Sequence, residues 1–113
     1  MRKQIIEQAA INVADQVRTV EDVIDSALSE IAELQGRIMR ASSVAHVGVR
    51  TGHDALVHLA GAFTALVAAR GGMGSCHAAL LDAKGAVPGL RTVSFGDAER
   101  CPTSGSATLR IVA

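Results

Sequence analysis

The sequence predicts a mainly α fold: a long helical hairpin that completes a four-helix bundle on dimerisation. Three observations carry this. Ile6, Ala10, Val13, Val17, Val20, Ile24, Ala27, Ile31, Leu34 and Ile38 recur alternately four and three residues apart, with neither Gly nor Pro before Gly36. Leu56, Leu59, Phe63 and Leu66 repeat the spacing in an alanine-rich stretch. Apolar residues make up 49% of the chain but aromatics only 2%, so whatever core exists is aliphatic.

The first stripe predicts one helix starting near Lys3, with Asp15, Asp22, Asp25, Glu33 and Arg40 on its wet side. Thr19-Val-Glu-Asp22 has the form of a capping box. The heptad phase runs through it undisturbed, and a single continuous helix is the expectation. Ala9, Ala14, Val23 and Leu28 widen the stripe beyond a two-stranded coiled-coil seam, towards a helix that touches two or more neighbours. Ala41 to Gly52, with Gly48 and three valines, reads as the reversal. Thr51-Gly-His-Asp54 is the expected cap of the second helix.

That second helix is expected to end at Gly71-Gly72. Ser75 then caps a short third helix to Lys84, with Gly85 just beyond it. Val87-Pro-Gly-Leu90 is a turn. Two alternating runs, Arg91–Phe95 and Ala107–Val112, suggest a small C-terminal β-hairpin or an extended tail. Residues 1–86 thus form the helical part and 87–113 the tail of the same domain.

Lengths supply the argument for a partner. The first stripe spans about 50 Å, whereas a compact globule of this size is about 35 Å across. One chain cannot cover that wall, so a homodimer or dimer of dimers is expected, with another protein as the other possible partner. The seam is assigned to Val13, Val17, Val20, Ile24, Ile31, Leu34 and Ile38 of the first helix, and to Leu59, Phe63 and Leu66 of the second.

Composition excludes several classes. Lys plus Arg and Asp plus Glu both number 11, and Trp and Tyr are absent. Nucleic acid is therefore not an expected partner. The apolar window Ala55–Ala69 falls short of the roughly 20 residues that cross a bilayer, so no membrane span is expected. The N-terminus lacks the apolar run of a secretory signal. Two cysteines, Cys76 and Cys101, fit reduced thiols, and the expected location is cytoplasmic.

Candidate chemistry is sparse, and no cofactor is expected. The four histidines are His46, His53, His58 and His77. No two share the three- or four-residue spacing that puts imidazoles on one helical face. His53, His58, Cys76 and His77 mark the alternative, a small-ligand or metal site or a minor enzyme. His58, Cys76 and His77 are its metal candidates. Arg70-Gly71-Gly72-Met73-Gly74-Ser75 is the anion-binding candidate, provided a helix starts there and presents free amides. It matches neither the dinucleotide fingerprint nor the phosphate loop. The expected role is a non-catalytic assembly or protein-interaction module.

Overall fold

A computed structural model of the chain describes residues 2–90. It contains two α-helices, α1 (Arg2–Val44) and α2 (His53–Ala86), and no strand among the described residues. The alternating runs read as a C-terminal β-hairpin, and Cys101 with them, lie outside those residues. The helices run antiparallel: Asp25 meets Arg70 while the earlier Glu21 meets the later His77.

α1 is continuous over its 43 residues, so Thr19 starts no new helix. Its hydroxyl donates instead to the Asp15 carbonyl one turn back (3.1 Å). Residues half-buried towards α2 include Ala10, Ala14, Val17, Glu21, Ile24, Leu28 and Ile31. The outer face is wet and locally paired: Arg37 and Arg40 both reach Glu33 (3.1 and 3.4 Å), and Gln8 bonds Asn12 (3.0 Å). Exposed pairs of this kind contribute about 0.5 kcal/mol or less each.

α1 ends in a Schellman motif. Val47 N–H donates to the Ser42 carbonyl (3.3 Å) and His46 N–H to Ser43 (3.2 Å), which satisfies carbonyls that the helix leaves open. The motif needs a left-handed residue at its centre, and His46 occupies it with φ 52°. A side chain there costs about 1 kcal/mol relative to glycine. His46→Gly should therefore raise stability by about 1 kcal/mol in urea unfolding. An unchanged or lower midpoint would mean that the imidazole makes an offsetting contact.

The expected cap at Thr51 is not formed. α2 starts one residue later with Gly52 as its N-cap, in a left-handed conformation (φ 83°) and with no side-chain capping bond. The carbonyl of Gly52 accepts from Leu56 N–H (3.2 Å), and Thr51 N–H closes a turn onto Gly48. Asp54, in the first turn, still meets the positive helix end.

The larger correction is in α2, which is a single 34-residue helix with no break at Gly71-Gly72 and no separate third helix. Ser75 is mid-helix, its hydroxyl donating to the Gly71 carbonyl (3.3 Å). Each glycine costs the helix only about 1 kcal/mol against alanine, and no proline intervenes before Pro88. Met73, His77 and Leu81 carry the inward spacing past the glycines and are half-buried on α1. Tertiary contact outweighs propensity.

The turn after α2 forms as expected. Leu90 N–H bonds the Val87 carbonyl (3.2 Å), with Pro88 next and Gly89 at φ 92°, the pattern of a type II turn. It folds Leu90 back across the open end of the hairpin. At 5% exposure, Leu90 is the one buried hydrophobic side chain among the described residues.

Candidate functional site

Two helices side by side make a layer and no interior. The molecule is 67 Å long and 17 Å thin, and its radius of gyration is 20.5 Å against about 13 Å for a compact chain of this length. Its accessible surface is 8886 Å², whereas a folded monomer of this mass exposes about 5,800 Å². The chemistry of such a layer lies in its apolar edges and in the few polar groups set along the contact line.

Most seam residues assigned from the sequence lie along that line. Val17, Val20, Ile24, Ile31, Ile38, Leu59 and Leu66 are half-buried. Val13, Leu34 and Phe63 remain exposed, at 47%, 48% and 44%. Leu28, Met73, Leu81 and Val87 are also half-buried, and Leu90 is buried. Met73 lies beyond the expected break, and its signal is the four-three spacing that runs from Leu59 through Leu66 to His77.

Polar pairs cross between the helices. Arg70 Nε donates to Asp25 Oδ1 at 2.7 Å, and His77 Nδ1 lies 3.1 Å from Glu21 Oε1. Arg70 and Asp25 are both largely exposed, while His77 and Glu21 are partly buried. Both pairs sit on one edge of the hairpin and fix which residue of α2 lies beside which of α1.

The anion-binding reading of Arg70 to Ser75 loses its premise. Gly71, Gly72 and Gly74 lie inside α2, where backbone N–H groups bond carbonyls one turn back and none is presented to a ligand. Arg70 turns to Asp25.

The residues of the small-ligand or metal reading are not brought together. His46 caps α1, His53 opens α2, and His58 is exposed one turn further along. Cys76 is exposed beside His77, but neighbouring side chains on a helix diverge by about 100°. No group of three metal-ligating side chains occurs among the described residues. His77 alone reaches a cleft, an apolar groove of about 210 Å³ floored by Val13, Val17, Leu80, Val87 and Leu90. That is below the roughly 300–1,000 Å³ of small-molecule pockets.

α2 also changes the membrane argument. The 15-residue apolar window belongs to a helix that is long and apolar enough, by length and composition, to cross a bilayer. The shortness of the window therefore no longer argues against a span.

Compared with known protein families, curated proteins and solved structures, the chain matches none of them.

Proposed function

We propose that the chain is a non-catalytic assembly or protein-interaction module that acts as a homodimer, two hairpins forming a four-helix bundle. One observation carries this reading: Leu90 is the one buried hydrophobic side chain among the described residues, although both helices are rich in Val, Leu, Ile and Ala. A helix apolar on most of its circumference is covered on most of its circumference in a stable protein. A chain that half-buries its aliphatic side chains against a single neighbour has not recovered the cost of ordering them. Bringing up a second hairpin is the smallest change that supplies the missing contact.

A bundle in water also accounts for Arg70 better than a bilayer does. It lies near the middle of α2, where a membrane span would carry its most apolar residues, and a cation there costs about 3 kcal/mol or more. Its partner Asp25 belongs to a helix whose outer face bears Asp15, Asp22, Glu33, Arg37 and Arg40.

Light scattering on the full chain tests the reading. The expected mass is twice the 11.6 kDa of the monomer, or a higher even multiple, in buffer without detergent. A monomer that keeps full helicity at micromolar concentration would overturn it.

A further inference from the structure

The two long edges of the hairpin differ. One edge carries the inter-helix pairs, Asp25 with Arg70 and Glu21 with His77. Along the opposite edge α1 places Val20, Val23, Ala27 and Leu34, each three, four or seven residues from the next, and α2 places Ala69 and Leu80, about three turns apart. Between Ile5 and Ile38 the polar side chains on this edge of α1 are Asn12, Gln16 and Glu30. Between Ala55 and Ala83 the α2 side adds only His58 and Cys76. Val23 is 60% exposed there and Leu80 38%.

We infer that a second copy of this chain docks on that charge-poor edge, each hairpin presenting the same Val23–Leu34–Leu80 surface to the other around a two-fold axis. The inference rests on the dimer reading above and specifies its interface. Charge decides between the edges. An interface on the edge bearing Asp25, Glu21, Arg70 and His77 would take both inter-helix pairs out of water, a desolvation cost that such pairs recover only with ideal geometry. The opposite edge buries fewer charged groups when it meets its own copy. Size agrees: an edge about 50 Å long and two helices deep, about 20 Å, offers roughly 1,000 Å² per copy. A stable interface needs about 800 Å² per partner.

The test compares three chains by light scattering across nanomolar to micromolar concentrations, with circular dichroism on each. Wild type is expected to be dimeric. Val23→Glu with Leu34→Glu adds two charges per copy to the charge-poor edge and should weaken the dimer at least 100-fold. Val67→Glu, exposed on the charged edge, should leave it within about threefold. Because a dissociated hairpin can unfold, a second measurement uses the folded Cys101→Ser chain. Alkylation of Cys76, which lies on the proposed interface, should slow at least tenfold as concentration carries the chain from monomer to dimer. A dimer dissociated by Val67→Glu but not by the double variant would overturn the assigned edge and leave the dimer standing. So would Cys76 reactivity that is unchanged across the transition. A monomeric wild type would overturn the edge and the dimer together.

Discussion

Ile24→Asp should abolish the cooperative folding of this chain. Ile24 sits at the middle of α1, half-buried against α2, one residue from the Asp25–Arg70 contact. Burying an isoleucine fully is worth about 1.5–3 kcal/mol, and a carboxylate in its place adds the cost of partly burying a charge. Together these approach the 5 kcal/mol or so that a small domain has in total. Ser26→Asp, on the exposed face two residues away, should shift stability by less than about 0.5 kcal/mol. The check is urea unfolding followed by circular dichroism. An Ile24→Asp chain with a transition like that of wild type would mean that the stripe is no packing seam.

The second large effect has the opposite sign. Replacing Gly71, Gly72 and Gly74 together by alanine should stabilise the protein by about 2–3 kcal/mol, since each glycine inside a helix costs about 1 kcal/mol relative to alanine. Room exists: a Cβ built at any of the three meets nothing within 4 Å. A helix that broke at these residues would respond in reverse, because alanine cannot follow a left-handed terminator. Thermal and urea midpoints of the triple variant therefore distinguish a continuous α2 from a broken one. A loss of stability would sink the continuous helix.

These substitutions fall where the chain was easiest and hardest to read. α1 was legible because its spacing is uninterrupted and its polar side is polar along its whole length. What spacing could not give was the contact line itself. A straight helix drifts by about 20° per heptad relative to a strict seven-residue repeat, so contact passes from Ala10 and Ala14 to Ile24, Ile31 and Ile38. Val13 and Leu34 were assigned to the seam and lie to one side of it.

α2 is less legible for a different reason. Gly71 and Gly72 are strong local punctuation, and Ser75 looks like a cap, so local chemistry favoured an ending that the contacts of Met73, His77 and Leu81 override. Glu21 and His77 could not be found from apolar periodicity, being polar groups on a contact line, visible only as a pair. The anion-binding reading of the glycines depends on a helix start near Ser75, and α2 runs through that position without a break.

The turn at Val87–Leu90 has a consequence for how the chain is wired. A Cβ at Gly89 would lie 3.9 Å from the Lys3 side chain, so the start of α1 and the exit from α2 are adjacent. At the other pole the helices are joined by Ala45 to Gly52, an exposed loop. Connectivity and contact are thus separable: the same two helices could be linked across the Lys3–Gly89 pole and opened at Gly48 with every inter-helix pair kept. Chain order is then a matter of convenience, and the hairpin is better regarded as two complementary rods than as a folded strand of beads.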